Sequence, residues 1–173
     1  MTIATLPAHF TGGDYAFTRV TSAALPKIRG WLGAGHLGDW WTPTGEELGA
    51  VAAGDDPGRT AYLVAYDGWA FAYLQLTDIA FDPVFSEQLS FPPGTLRVDQ
   101  FIGDAAMIGF GHGIKFLKGF VDSIAANGAV KKLVALPSDD NFFAVRTYSQ
   151  AGFRLEKTLE TPVGTYSAMG LIL

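Results

Sequence analysis

A chain of 173 residues with 49% hydrophobic and 17% charged side chains can bury one sizeable core and is short for two. It contains no cysteine, which excludes disulfides, thiolate zinc sites and a cysteine nucleophile. Twelve Lys and Arg against seventeen Asp and Glu leave a net charge of −5, which opposes generic attraction to nucleic acid or anionic lipid and favours a cationic small molecule.

From the N-terminus, Met1 to Phe10 lacks the basic start and apolar run of a secretory signal, and no later stretch reaches the apolar length of a membrane span. The expected compartment is the cytoplasm. Asp14 to Val20 alternates Tyr15 and Phe17 with polar residues, as a half-buried strand does. Leu25, Ile28, Trp31 and Leu32 then recur at helical spacing after Ser22, with Pro26 in the first turn, where its missing N–H costs nothing. Gly33 and Gly35 end that helix. An irregular segment, Gly38-Asp39-Trp40-Trp41, leads to a second helix capped by Thr44 with Glu47 three residues on.

Ala61 to Tyr66 and Trp69 to Ala80 read as strands joined by the Asp67-Gly68 hairpin turn. Asp82 to Gly94, with three prolines, is a loop or flap. Thr95 to Gly103 is a further strand. From Gly111 to about Asn127 the period turns helical, with Ile114, Leu117, Val121 and Ile124 as the apolar stripe opposite Lys115, Lys118 and Asp122. Lys132 to Leu136 is a short strand stopped by Pro137, and Ser138 or Asp139 can cap a helix running to about Gln150. Strands near Phe153 to Thr161 and Thr165 to Ile172 complete one unit spanning residues 1–173, an α+β sheet with helices on both faces.

The densest signal is Ile108-Gly109-Phe110-Gly111-His112-Gly113 at the start of the amphipathic helix. Alternate glycines let backbone approach another group closely, and the helix's first amides carry the positive end of its dipole, so a diphosphate satisfies them. The spacing is not the G-x-G-x-x-G of dinucleotide folds, and no Gly-Lys-Ser/Thr follows as in a P-loop. By themselves the glycines fit a tight strand-to-helix connection equally well.

Further along, Asn141 opens a helix that ends Tyr148-Ser149-Gln150-Ala151-Gly152-Phe153. Together with the glycine loop, this pattern resembles the two signatures of GNAT superfamily N-acetyltransferases. The Asp39-Trp40-Trp41 and Val98-Asp99-Gln100 segments are similar to aminoglycoside 6′-N-acetyltransferases and to acyltransferases of siderophore assembly. The resemblance implies a mixed, mostly antiparallel sheet with a splayed central strand pair, Thr95–Gly103 and Lys132–Leu136, which holds acetyl-CoA as acyl donor. It places backbone of Gln100, Phe101 and Ile102 against the thioester and pantetheine, amides of Ile108, Gly109, Phe110, Gly111, His112 and Gly113 on the pyrophosphate, and Asn141 and Tyr148 in the donor site. Ile108 stands where many members carry Gln or Arg, which removes a side-chain contact and leaves the main-chain cradle. Lys115 and Lys118 either compensate or form a solvated face.

The chemistry implied is direct attack by a primary amine of a small, cationic acceptor, with no covalent enzyme intermediate and no metal. Tyr148 matches the family position whose phenol reaches the CoA sulfur and is assigned as general acid, against the alternative of a core tyrosine beside Ala144 and Ala151. Asp99, a mid-strand carboxylate among apolar residues, either anchors the substrate ammonium and serves catalysis or pairs with Arg97 two residues back. Trp40 and Trp41 line the acceptor pocket or pack in the core, with core packing preferred for Trp41. His36 reads as a loop residue. Asp78 and Asp82 read as a solvated turn that adds negative field at most. At the end of the strand before Pro137, aminoglycoside acetyltransferases carry a second substrate-binding carboxylate, and Leu136 occupies that place. An acceptor smaller or less charged than an aminoglycoside is therefore expected, on a monomer or homodimer acting without nucleic acid or membrane. The alternative function is an acyl-CoA-binding sensor or scaffold of the same fold.

Overall fold

The computed structural model describes residues 3, 6–38, 40–82, 85 and 88–173. In chain order the regular elements are β1 (His9–Gly12), β2 (Tyr15–Arg19), α1 (Leu25–Leu32), α2 (Gly45–Ala53), β3 (Arg59–Tyr66), β4 (Trp69–Asp78), β5 (Thr95–Ile102), α3 (His112–Asn127), β6 (Lys132–Ala135), α4 (Phe142–Gln150), β7 (Arg154–Thr161) and β8 (Gly164–Ile172). The strands form one eight-stranded sheet in the order β1-β2-β3-β4-β5-β6-β8-β7. Every neighbouring pair is antiparallel except β5 with β6. The α+β class and the mixed, mostly antiparallel sheet expected from the sequence are thus present.

Period-two alternation sorts the sheet's side chains. Tyr62, Val64, Leu74, Leu76, Leu96 and Val98 face α3 and α4 in the main core. Ala61, Tyr73 and Phe101 face α1 and α2 in a second cluster with Ile28, Leu48 and Val51. Local chemistry fixes the turns. Asp67 (φ 49°) and Gly68 (φ 77°) make the β3–β4 hairpin turn in the left-handed region, and Thr44 with Glu47 forms a reciprocal capping box on α2.

Three expectations need correction. The strand β1 goes unpredicted, because Phe10 is the lone apolar residue of His9–Gly12; it forms through a hairpin with β2, and Phe10 stacks on Phe17 at 4.9 Å. The buried face of α3 is centred on Phe116 and Phe120 with Leu117 and Ile124, while Ile114 and Val121 lie at its margins. The cap of α4 is Asn141, whose Oδ1 accepts from the Ala144 amide at 3.2 Å. Asp139 instead accepts from the Ser167 hydroxyl at 2.7 Å, and Ser138 forms a bridge to Tyr166.

The seat of α3 on the sheet sets where its N-terminus points. Gly119 lies against Gly12 of β1: a Cβ on Gly119 would meet the Gly12 carbonyl oxygen at 2.3 Å, and one on Gly12 would meet the Gly119 oxygen at 2.2 Å. Backbone meets backbone there, so neither side can yield by rotating a side chain. Gly119→Ala should therefore destabilise the fold by about 1–3 kcal/mol, the range for overpacking, measured by urea denaturation. An unchanged midpoint would show that β1 and α3 are not held this closely.

Candidate active site

The sheet opens at its centre. Pairing between β5 and β6 is confined to Thr95, Leu96 and Arg97 against Lys132, Leu133 and Val134. Beyond that point the β6 side of β5 is unpaired. The Gly103 amide donates to the Phe71 carbonyl at 2.8 Å. By the alternation of antiparallel bonding, the main-chain groups of Arg97, Asp99 and Phe101 face β4, and those of Val98, Gln100 and Ile102 face the opening. Three of these groups have protein partners, the Gln100 amide donating to the Tyr148 hydroxyl. The Tyr148 hydroxyl donates to the Val98 carbonyl at 3.1 Å, and His36 Nε2 meets the Ile102 carbonyl at 2.9 Å.

Tyr148 is fully enclosed, and burial raises its pKa well above 10.0; the Asp99 charge adds to this, while Arg97 and a backbone hydrogen bond from Gln100 work against it. The phenol is thus held in its protonated form beside the open edge. That satisfies the first requirement of a proton donor.

At the far end of β5 the chain turns through Ala105–Met107 and enters α3 with Gly109 (φ 90°) and Gly111 (φ 76°) in the left-handed region. The Ile108 amide is bonded to the Ala105 carbonyl at 3.3 Å. From Gly109 to Ile114, no protein acceptor takes the main-chain amides among the described residues, and α3 has no side-chain cap. A Cβ at Gly109 would meet nothing within 4 Å, so the loop is open. The amides without a protein acceptor thus begin at Gly109, because that of Ile108 is taken by Ala105. His112 is anchored from behind: its Nδ1 is 2.7 Å from the Tyr15 hydroxyl, and its ring is tilted 59° against that of Phe71.

On the α1/α2 face of β5 lies a cavity of about 300 Å³, lined by Trp40, Trp41, Glu47, Arg59, Gln75, Arg97, Asp99, Leu136 and Tyr166 among others. Asp99 Oδ2 accepts from Arg97 Nε at 2.7 Å, and Arg97 Nη1 also pairs with Asp82. Two carboxylates thus share one guanidinium, leaving the trio with one net negative charge. Burial lowers the Arg97 pKa, and the charges of Asp99 and Asp82 outweigh that and raise it, so the guanidinium stays charged. Asp99 Oδ1 has no partner among the described residues.

Residues 21–161 match the Acetyltransferase (GNAT) domain family. The chain belongs to the GNAT acetyltransferases. Its relatives include the aminoglycoside N(6′)-acetyltransferase type 1 of Klebsiella pneumoniae, 29% identical over 160 residues that cover 84% of this chain and 76% of the relative. Among solved structures, AAC(6′)-Ib in complex with paromomycin and acetyl-CoA superposes with a TM-score of 0.80 at 26% identity, covering 92% of this chain and 93% of that one. AAC(6′)-Ib with coenzyme A and kanamycin gives 0.79 at 26% identity, covering 91% and 94%.

In this GNAT acyltransferase, Asp99, Trp40 and Trp41 come together at the cavity. Asp99 pairs with Arg97, as one reading has it, and also lines the pocket. Trp41 packs edge-on against Tyr73 at 5.7 Å and Phe101 at 5.5 Å while also lining the pocket, whereas Trp40 is 56% exposed. Asp39 lies outside the described residues. Phe101 is buried and stacked on Tyr73, and its main-chain groups face β4 rather than the opening, unlike the expectation from the sequence. Lys115 and Lys118 are exposed. Asp82 is 4% exposed and paired with Arg97, which corrects the solvated-turn reading. Asp78 caps the Ala80 amide.

Sequence reasoning missed the pocket roles of Arg59, Gln75 and Tyr166. The register places Gln75 opposite Asp99, and Thr77 opposite both Arg59 and Arg97. Aligning the three strands by their alternation would have put these polar side chains on one face. Among the described residues no group of three or more His, Asp or Glu could hold a metal ion, and no helix is long and apolar enough to cross a membrane.

The buried phenols make a pH prediction. Burial raises the pKa of Tyr148, Tyr73 and Tyr62 above the 10.0 of a free phenol. Above pH 10 the unfolded chain loses these protons first, so it binds fewer protons than the folded chain and stability falls as pH rises. Tm should be nearly flat up to about pH 9 and drop steeply beyond about pH 10, less steeply in Tyr148→Phe. Identical alkaline slopes for the two proteins would show that the Tyr148 pKa is not raised.

Proposed function

We propose that this enzyme transfers an acetyl group from acetyl-CoA to a primary amine of a small cationic acceptor, one less charged than an aminoglycoside. The observation that carries the reading is the open edge of β5, flanked at one end by the free amides from Gly109 to Ile114 and on its α1/α2 face by the acidic pocket at Asp99. A thioester lying along that edge has the phenol of Tyr148 on one side and Asp99 on the other.

The reaction needs a neutral amine, a polarised carbonyl and a proton for the departing sulfur. The amine nitrogen bonds to the thioester carbon, the carbon–sulfur bond breaks, Tyr148 supplies the proton to the thiolate, and the acylated nitrogen releases its proton to solvent, from which the phenolate is reprotonated. The unpaired Oδ1 of Asp99 receives the acceptor's ammonium and holds it beside the edge until it deprotonates. Main-chain groups of Gln100 and Ile102 align the donor as an added strand would, and Asn141 sets the helix that carries Tyr148.

Acceptor charge follows from the pocket walls. Leu136 is apolar and buried, Asp99 shares its charge with Arg97, and the second lining carboxylate, Glu47, pairs with the second lining guanidinium, Arg59. A polycation gains little there. The volume of about 300 Å³ lies at the small end of ligand sites and suits a single ring or a short chain.

Tyr148→Phe should lower kcat by roughly 10- to 1000-fold while changing CoA affinity little, measured by thiol release and calorimetry. An unchanged kcat removes Tyr148 from the chemistry. Across a panel of amines, kcat/KM should peak at acceptors with one or two positive charges, and kanamycin should be a poor substrate. Efficient kanamycin turnover would overturn the charge limit, and tight CoA binding with no turnover of any amine would make the protein a sensor.

A further inference from the structure

We propose that Asp82 is a positioning residue for the acceptor: acting through Arg97, it leaves one oxygen of Asp99 free and gives the pocket the net negative charge that a cationic amine needs. The inference rests on the reading of Asp99 as the acceptor's anchor.

Asp82 is not among the residues that line the pocket. The end of β4 delivers it. A turn at Ile79–Phe81 follows that strand directly, the Asp82 amide donates to the Ile79 carbonyl at 3.1 Å, and Asp82 Oδ1 accepts from the Phe85 amide at 3.4 Å. Asp78 lies opposite Leu96 in the sheet, so this turn returns the chain to the start of β5. There Asp82 Oδ2 accepts from Arg97 Nη1. The Asp82 side chain is 5% exposed, against 19% for Arg97 and 21% for Asp99, so water screens its charge little and Arg97 stands between it and the cavity.

That contact acts on Asp99 in two ways, both in the same direction. The first is geometric. A guanidinium left alone with a carboxylate commonly closes on it through two N–H groups and both oxygens. Here Nη1 is drawn to Asp82 and only Nε reaches Asp99, on Oδ2 at 2.7 Å, which leaves Oδ1 for an ammonium. The second is the sum of charges. Arg97 and Asp99 by themselves add to zero, and an ammonium at Oδ1 feels the guanidinium's repulsion at nearly the range of the carboxylate's attraction. Asp82 offsets Arg97 and leaves the charge of Asp99 to the acceptor. Arg59 does not disturb this balance, because it lies between Glu47 and Asp56.

The test removes the charge of Asp82 and then restores the sum. Asp82→Asn keeps the shape and an acceptor oxygen for Arg97, and Asp82→Asn/Arg97→Gln removes one charge of each sign. KM and kcat are measured with 1,4-diaminobutane, a dication, and with aniline, a primary amine uncharged at neutral pH, alongside Tm and CoA affinity. Asp82→Asn should raise the KM of the diamine roughly 5- to 30-fold, the effect of one charge lost just beyond a salt bridge. Its kcat and the KM of aniline should each stay within about threefold. The double variant should bring the diamine's KM back to within about threefold of wild type, and so should Asp82→Glu, which keeps the charge and carries the test if Asp82→Asn does not fold. If Asp82 only holds its loop, both amines suffer alike in Asp82→Asn and neither other variant recovers, which overturns the inference. An unchanged diamine KM in folded Asp82→Asn also overturns it and leaves the Asp99 anchor standing. If Asp99→Asn leaves the diamine's KM unchanged, or wild type does not act on the diamine, the anchor is wrong and the inference falls with it.

Discussion

The site depends on one departure from regular pairing, the parting of β5 from β6 after Arg97 and Val134. Inside a sheet an unpaired peptide group costs about 1–3 kcal/mol when it is buried, so an opening persists only where other groups take up the bonds. Tyr148 takes the Val98 carbonyl and His36 the Ile102 carbonyl, each from a different face of the sheet. The Gln100 amide also meets the Tyr148 hydroxyl, and the β6 side of the strand is otherwise unpaired beyond Arg97. The same parting brings a buried phenol and a mid-strand carboxylate to neighbouring positions, because adjacent residues of a strand point to opposite faces. Val98 and Gln100 put their side chains toward α3 and α4; Arg97 and Asp99 point to the acceptor side.

The charges of the acceptor side are arranged to be shared. Asp82, Arg97 and Asp99 form a trio, and Arg59 lies between Glu47 at 3.5 Å and Asp56 at 3.4 Å. Leaving any one of these half-buried ions unpaired would be costly, so the network is stable as a set and tolerates little change. Its net charge is negative and small. On the proposed function, that balance would attract an amine without holding a polycation tightly, and a second free carboxylate in place of Leu136 would shift it toward more highly charged acceptors.

Much of this was legible in the sequence where local chemistry decides. The Asp67-Gly68 turn, the Thr44/Glu47 capping box, the glycines at the start of α3 and the strand that carries Asp99 each follow from steric or hydrogen-bonding rules that act over a few residues. What escaped depends on partners far along the chain. The strand β1 gains its apolar setting from Phe17, Tyr62 and Phe120, which its own four residues do not reveal. Asp82 reads as solvated until the loop after β4 delivers it to Arg97. His36 lies 66 positions from the carbonyl it bonds, and no spacing within its own segment signals that contact.

Donor and acceptor are recognised by different parts of the peptide, and this explains why the family is plain in the sequence while the acceptor is not. In the proposed site, the diphosphate cradle is made of amides. Any sequence that keeps Gly109 and Gly111 in the left-handed region and α3 in its seat presents them, which is why Ile108 can replace a polar side chain without removing the site. Such a requirement leaves glycines as its trace, and glycines are easily read. The acceptor pocket is made of side chains from β3, β4, β5 and the segment after α1, brought together by strand register. Each can be exchanged singly while the backbone stays in place, as Leu136 illustrates. A relative 29% identical can therefore share the donor machinery and differ in the amine it accepts. On the proposed function, the small net charge left by the Asp82–Arg97–Asp99 trio would decide how many positive groups the pocket can hold without an unpaired ion.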